Sequence, residues 1–480
     1  MFDFSHGYHR FPDQLRASRL DALYNDTIFD VVEEYIGKAR FPFIPLGEAV
    51  VFFNESRNPR ENPDEEFLYV DIGSIDRVRG VPSPENMIGY QATSSRVRRV
   101  MHKGNLLVSM TRPTRNAICI VPDELDNQIC STGFAVLDCK PDVLNRFLFY
   151  ALRSDMATWQ FERLCSGSGY PAINQETDLP QIRVPKPDLE SQREILKTLE
   201  PIEVEARRLD EKAAKTEGDI GQVLITELGI DIEPAESANY FFKAGTEKQA
   251  LWFSVFPNEG TDRLHYLFLH SRYEALSVLC ERYRTLSLAE ICREPIVRGE
   301  QPEYDEVGTV TVLKTVDLKN GYIDYENALK VSEEFYDAHP AAHVHKGDIL
   351  VASTGYVSMG KVDIYDRDEP AMVDGHISIV RVDDGYEPYF IAYFLRSHFG
   401  QLQFEKWFTG SSGQIEVQPY DLGRFLVPAN DAKGIPPVDQ RRIATAITQQ
   451  LEEARILERR AAAKWREARE EFERIIFAKP

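Results

Sequence analysis

Two stretches of the chain carry apolar residues at alternating spacings of three and four. In the first, Ile195, Leu199, Ile202, Ala206, Leu209 and Ala213 follow one another at 4, 3, 4, 3 and 4. That is a heptad seam, and it predicts a long helix whose narrow apolar stripe needs a partner helix. Pro201 lies within it and is expected to kink or restart the helix. In the second, residues 439–477, one stripe holds Ile443, Ile447, Leu451, Ala454, Leu457, Ala461, Trp465, Ala468, Phe472 and Ile475. Glu and Arg lace its polar face, as on a solvated helix. The natural partner of each helix is the other, packed antiparallel.

Elsewhere the period shortens. Residues 67–75 and 309–316 are rich in Val, Ile, Thr and aromatics and predict short strands. A Lys-Gly turn leads into a strand at 106–110 and again at 349–353. A single helix is expected over 143–164 and another over 389–407. Each is followed by a Gly-Ser loop and a short strand ending at Val-Pro. Strands interleaved with a few helices predict a compact mixed α/β (α+β) module.

These parallels are one repeat. Lys103-Gly104-Asn105-Leu106-Leu107-Val108 returns 243 residues later as Lys346-Gly347-Asp348-Ile349-Leu350-Val351. The same offset carries Leu152-Arg153-Ser154 onto Leu395-Arg396-Ser397, Phe161-Glu162 onto Phe404-Glu405 and Gly167 onto Gly410. It also carries Asp178-Leu179 onto Asp421-Leu422 and Val184-Pro185 onto Val427-Pro428. Gln192-Arg193 matches Gln440-Arg441 at 248, which places about five inserted residues near 431–436 of the second copy. Arg19-Leu20-Asp21 and Arg263-Leu264-His265 open the two copies. A self-match of this length is a duplication. It divides the chain into a first module (1–188), a first helical spacer (189–236), a second module (237–436) and a second helical spacer (437–480).

Composition narrows the class. The 480 residues are 43% hydrophobic and 28% charged, as in ordinary globular proteins. No run of about 18 apolar residues predicts a membrane span, and the first ten residues lack the flank and apolar core of a signal peptide. The cytoplasm is the expected location. Cys119, Cys130, Cys139, Cys165, Cys280 and Cys292 form no C-x-x-C pair, so buried reduced thiols are expected. The net charge is −21, yet Arg77, Arg79, Arg96, Arg98, Arg99, Lys103, Arg112 and Arg115 face a single acid, Glu85, across residues 77–115. Residues 189–234 instead hold twelve acids and six bases. The total counts against DNA binding as a property of the whole chain, but the distribution gives a basic face with acidic segments elsewhere.

In the first copy Lys103 to Val108, Ser131-Thr132-Gly133, the loop at 166–173 (SGSGYPAI), Asp178-Leu179, Val184-Pro185-Lys186-Pro187 and Gln192-Arg193, and in the second the run at 346–361 (KGDILVASTGYVSMGK), Leu395-Arg396-Ser397, the Gly410 to Gly413 loop and Gln440-Arg441, follow one order. In this the chain resembles the DNA specificity subunit of type I restriction–modification systems. The resemblance implies two tandem target-recognition domains alternating with two long helices paired as an antiparallel coiled coil. Each domain would read one half of a split double-stranded DNA target. The helices would set the gap and dock two methyltransferase subunits, with a motor-nuclease subunit joining to restrict unmodified DNA. S-adenosylmethionine would sit on the methyltransferase partner, and no cofactor or metal is expected in this chain. Some 25–30 helical residues at about 1.5 Å each would span about 40 Å, near one turn of B-DNA, about 34–36 Å.

The candidate DNA contacts are Arg77, Arg79, Arg96, Arg98, Arg99, Lys103, Arg112 and Arg115, with Gly167, Ser168 and Tyr170 from the first Gly-Ser loop. In the second copy they are Thr354, Tyr356, Ser412 and Gln414, because the basic stretch is not repeated there. Arginine can neutralise phosphates or pair with guanine O6 and N7. The coiled-coil seam would be Ile195, Leu199, Ile202 and Leu209 against Ile443, Ile447, Leu451, Leu457, Trp465 and Phe472. Three other patterns are rejected. Residues 355–361 (GYVSMGK) have P-loop spacing, but Val362 replaces the hydroxyl residue and a strand-like run follows. Gly167 to Ala172 fits G-x-G-x-x-A, with Pro171 spoiling a dinucleotide turn. His339, His343 and His345 lack further ligands at metal spacing. The chain has no Asn-Pro-Pro-Tyr or Asp-Pro-Pro-Tyr segment, H-E-x-x-H or G-x-S-x-G element. A protein adaptor or decoy without DNA contact, in keeping with the −21 charge, and a stand-alone nuclease remain as competing readings.

Overall fold

The structure, a computed structural model, describes residues 28–167, 170–230, 273–305, 307–326, 328–355, 358–410 and 415–477. The two openings at 19–21 and 263–265 lie outside the described residues, as do Ser168, Tyr356, Ser412, Gln414 and the 231–236 end of the first spacer. The chain divides into two units: the described residues of Met1–Glu211 with Leu457–Pro480, and those of Lys212–Ile456. The boundaries drawn from sequence treat the two spacers as separate segments, whereas each long helix is shared between the units.

In the first unit, helix α1 (Ile28–Gly37) precedes two four-stranded sheets. One has the order Glu85–Ile88, Glu66–Val70, Gln128–Ser131, Val97–Met101. Its middle strands run parallel, with Ile129 opposite Tyr69, and its other pairs are antiparallel. The second sheet is antiparallel, in the order Val50–Phe53, Phe134–Cys139, Leu106–Ser109, Ile118–Ile120. The strand entered from the Lys-Gly turn, Leu106–Ser109, is buried at every position. Gly104 has φ +80°, a left-handed conformation that favours glycine, and Asn105 Oδ1 accepts the His102 N–H at 2.9 Å. Helices α2 (Asn145–Arg153) and α3 (Asp155–Leu164) cover the core, and a short strand, Arg183–Pro185, leads towards the long helix α4 (Leu189–Leu228).

The second unit repeats this plan. After α5 (Glu274–Arg282), one sheet has the order Leu329–Val331, Val310–Leu313, Ala371–Val373, His343–Val344, again with a parallel middle pair. The other has the order Val297–Arg298, Ile377–Val380, Ile349–Ala352, Val362–Ile364. Gly347 has φ +94°, and Asp348 accepts the His345 N–H at 2.8 Å, so the second Lys-Gly turn is built like the first. Helices α6 (Pro388–Arg396) and α7 (His398–Trp407) then pack over it, and α8 (Pro437–Phe477) follows.

Two expectations about helices are corrected. Neither 143–164 nor 389–407 is one helix: the first breaks at Ser154 and the second at Ser397, both extended at ψ 158° and 171°. Ser154 Oγ donates to Ala151 O at 2.7 Å and accepts from Ala157 N at 3.2 Å, ending one helix and capping the next. Pro201, by contrast, does not end α4, which runs unbroken through it. Buried Ile195, Leu199 and Ala206 hold both sides of the proline on one stripe.

The long helices, at 40 and 41 residues, exceed the expected 25–30, because the seam continues past Ala213 to Leu224 and Leu228. In the first unit Ile195, Leu196 and Leu199 share a core with Ala468, Phe472 and Ile476. In the second, Leu224 and Leu228 share one with Ile443, Ile447 and Leu451. There Lys212 pairs with Glu453 at 3.0 Å and Glu227 with Arg442 at 2.9 Å, so the helices run antiparallel. Three seam positions are adjusted. Ile202 and Trp465 are only partly buried, and Ile476 rather than Ile475 is the fully buried end of the α8 stripe. Among the described residues no helix is long and apolar enough to cross a membrane. None of the six cysteines forms a disulfide. Cys119, Cys130 and Cys165 are buried, burial pushing the Cys130 thiol up to about 12, but Cys280 is exposed, against expectation.

Candidate nucleic-acid interface

The strands that follow from this sequence pattern bring four segments of the first unit to one place. Residues 96–99 open the edge strand of one sheet, and Thr132 N–H donates to Arg96 O at 2.9 Å. Met110 N–H donates to Gly133 O, and Ile173 N–H to Met110 O, both at 2.9 Å. Between these segments lies an open groove of about 640 Å³ lined by Asn54, Ser56, Arg98, Arg99, Thr132 and Gln175, with Glu176 its one acid among the described residues. Arg99 is half-buried. Its Nη1 donates to Phe134 O at 2.8 Å and to Gln175 Oε1 at 2.6 Å, and Gln175 Nε2 donates to Asn54 Oδ1 at 2.7 Å. Burial holds the Arg99 guanidinium below its ordinary range. Arg96 and Arg98 are exposed and have no ion pair among the described residues.

Beside the groove, the Gly-Ser loop is closed by paired backbone bonds between Ser166 and Ala172, and Thr111 bridges to Ala172. Gly167 takes φ +93° where a Cβ would press on Tyr170 O at 3.2 Å. Tyr170 is 75% exposed, with the Arg112 guanidinium 4.8 Å over its ring. Arg112 itself holds φ 48°, an uncommon conformation for a side chain of its size. The site therefore offers cations for phosphate, amides able to pair with adenine, and an exposed ring.

Not every candidate belongs to it. Arg79 donates to Asp76 at 2.6 Å and to Asp210 at 2.7 Å, and these pairs raise its pKa, Asp210 first. It ties a hairpin to α4 rather than facing a ligand. Lys103 lies at the far end of the Leu106–Ser109 strand, its backbone N–H bonded to Asp126 at 3.1 Å beside His102 and Glu55. Arg77 and Arg115 are exposed, near each other and away from the groove lining. Asn54, Asn174 and Gln175 were not singled out in sequence. Their sole signal is that Asn174 and Gln175 directly follow the SGSGYPAI run.

The second unit builds the same loop with different chemistry. Thr354 bridges to Glu416, Thr409 and Glu416 pair as Ser166 and Ala172 do, and Gly410 has φ +103°. The loop is one residue longer than in the first copy. Thr354 Oγ1 lies 2.7 Å from His376 Nδ1, and Arg298 Nη1 donates to Glu416 at 3.0 Å. The positions 243 after Arg98 and Arg99 are Ala341 and Ala342. His339 stacks on Phe335 at 4.2 Å and His343 on Tyr336 at 3.5 Å, and no metal-holding cluster exists among the described residues. A strand, Val362–Ile364, follows GYVSMGK, as expected of a false P-loop.

Residues 88–213 match the family model described as the type I restriction modification DNA specificity domain. The specificity subunit of the type I restriction enzyme HindI from Haemophilus influenzae is 29% identical over 143 residues, which is 29% of this chain and 31% of that subunit. The match thus spans less than a third of that relative's length. The crystal structure of the HsdS subunit from Thermoanaerobacter tengcongensis aligns over 92% of this chain and 97% of its own, at 23% identity and TM-score 0.34. That of a type I restriction–modification S subunit from M. genitalium aligns over 91% and 96%, at 13% identity and TM-score 0.38. The segment that carries Arg96, the Lys-Gly turn, the Gly-Ser loop and the first half of α4 is thus similar to the type I restriction modification DNA specificity domain.

Proposed function

We propose that this chain is the DNA-reading subunit of a type I restriction–modification assembly and recognises a target in two parts. The observation that carries the reading is the repetition of one module of two sheets and a Gly-Ser loop, its sequence matches offset by 243 residues, with α4 and α8 each shared between the units. In the first module Arg96 and Arg98 neutralise phosphates, which positions the duplex without specifying sequence. Gln175 and Asn54 face the base edges, and Tyr170 with Arg112 reaches from the loop. In the second module, Thr354, His376 and Glu416 supply a polar, weakly charged counterpart. In this reading methyl transfer belongs to partners: two methyltransferase subunits holding S-adenosylmethionine and acting at adenine N6, with a motor-nuclease subunit where restriction occurs.

The test is a footprint and a salt titration of the full chain with its methyltransferase partner. Two short protected blocks separated by an unprotected gap are expected, with affinity falling steeply as salt rises. Arg96→Ala with Arg98→Ala should weaken binding to all duplexes by about ten-fold or more, since each lost phosphate contact also lowers the salt slope by about 0.9. One continuous block, or unchanged affinity in the double variant, rejects the reading. A second reading, a duplicated adaptor without DNA contact, draws on Ala341 and Ala342 in the second module and the −21 net charge. It requires that no duplex affinity be present at low salt.

A further inference from the structure

In the first unit, a cavity of about 90 Å³ lies where the hairpin carrying Arg77, helix α2 and helix α8 meet. Its walls include Arg77, Arg153, Arg466 and Arg469 together with Phe149 and Trp465, and no carboxylate is among its lining residues. Four guanidinium groups around so small a space are exceptional in a chain of net charge −21. The acids nearby are engaged elsewhere. Asp76 and Asp210 pair with Arg79, Asp210 also accepts from Trp465 Nε1 at 2.8 Å, and Glu203 binds Arg146 and Tyr150.

Arg153 is 4% exposed, stacks 4.7 Å over Phe149, and donates through Nη2 to the carbonyls of Arg77 and Val78. Its Nε has no hydrogen-bond partner, an unusual state for a buried charged group. Burial, then Arg469, brings its guanidinium down to about 10. Arg77, Arg466 and Arg469 have no ion pair among the described residues. Glu473 acts on Arg469 and Asp76 on Arg153 from outside the cavity, but four guanidinium groups line it and no carboxylate does, an excess of positive charge that a bound anion would relieve.

The cluster also continues a track. Arg115 is lowered by the cover of its loop and then by repulsion from Arg112 and Arg77, so these three cations are close neighbours. Guanidinium groups therefore run from the Tyr170 loop through Arg112, Arg115 and Arg77 to Arg466 and Arg469 on α8. Cations grouped between the proposed reading loop and α8 fit a polyanion backbone better than an isolated acidic side chain.

We propose that this cavity holds a backbone phosphate of duplex DNA, gripped by Arg466 and Arg469 beneath Arg77, so that α8 is itself part of the DNA-binding surface. This rests on the DNA-reading function proposed above and extends it to a helix otherwise assigned to spacing. Phosphate contacts of this kind carry no sequence information.

The experiment compares duplex binding by the full chain, Arg466→Gln with Arg469→Gln, and the control Arg459→Gln with Arg460→Gln. The control residues are exposed on the same helix, outside the cavity, and remove the same charge. The expected result is a uniform loss across target and non-target duplexes in the first variant alone. Its salt slope falls by about 2, so its affinity deficit shrinks about ten-fold between about 50 and about 200 mM salt. Equal loss in the control, or no loss in the cavity variant while Arg96→Ala with Arg98→Ala still weakens binding, overturns this inference and leaves the reading function standing. Unchanged DNA binding with lost capture of a partner subunit overturns it and assigns the cavity to an acidic protein surface. Absence of duplex binding by the unaltered chain overturns both.

Discussion

Gln192 and Gln440 are buried amides at the start of the two long helices, and each fastens its helix to the preceding module. Gln192 Oε1 accepts Leu144 N–H at 2.8 Å, while its Nε2 donates to Asp142 O and Pro187 O. Gln440 accepts Glu387 N–H at 3.0 Å and donates to Ile435 O at 2.8 Å. The five-residue insertion in the second copy shifts the sequence offset and leaves these bonds in place. Arg193 and Arg441, which accompany them in sequence, are exposed. Gln192→Leu strips partners from a buried N–H and two carbonyls, so it should lower stability by about 1–3 kcal/mol. Arg193→Ala should stay within about 0.5 kcal/mol. Denaturant midpoints check both, and equal effects would contradict the anchoring role. The Gln-Arg pair was visible as a repeat, but a repeat reports only that residues recur. Which of two neighbours is buried depends on the pitch at which the helix leaves the module. Gln160 and Gln403 escaped notice for the same reason, although each bonds both ways with the strand backbone, at Arg183 and at Leu426.

Helices and strands were legible wherever burial followed a regular period. The Lys-Gly strands, the Val-Pro strands and the heptad seam all fall where the pattern puts them, because one face of each is pressed against a core. The breaks at Ser154 and Ser397 were not legible, since apolar residues continue across both and only the extended serine backbone interrupts the hydrogen-bond ladder. Contacts distant in sequence were equally hidden. Glu473, near the end of α8, accepts the Asp155 N–H at the first turn of α3. Burial, then Asp155, pushes its carboxyl up to about 7. The folded chain therefore holds this proton more tightly than the unfolded chain does. Stability from it is complete below the ordinary glutamate range and is lost as pH rises through about 7. Between about pH 5 and about pH 8, Glu473→Gln should gain stability relative to the unaltered protein, by about 3 kcal/mol at most. Melting curves at both pH values measure the difference, and a difference independent of pH would refute the assignment.

At the scale of the molecule, the duplication is what sequence conveyed most fully, because an offset of 243 residues survives even where side chains have diverged. The basic face was legible only in part. Eight bases crowd one stretch, yet Arg79 is engaged by Asp210 and Lys103 faces Asp126, since strands carry sequence neighbours to opposite ends of a sheet. The cations that complete the track, Arg466 and Arg469, come from the other end of the chain. The helices give the last prediction. Each is drawn into both units, the unit boundary falling at Glu211 in α4 and Ile456 in α8. Seven residues inserted after each of these positions preserve the heptad seam, because 3.5 residues per turn returns the stripe to the same face. Each helix then lengthens by about 10 Å, and DNA rises about 3.4 Å per base pair. If the helices measure the distance between two read sequences, the unspecified gap should grow by about three base pairs with both half-sites unchanged. Selection of preferred duplexes from a randomised pool gives the answer. A gap of unchanged length would remove the measuring role from the helices, and an altered half-site would mean that the modules do not read independently. Insertion in α4 alone breaks the pairing and should abolish binding to either gap, which separates measurement by a paired rod from simple tethering.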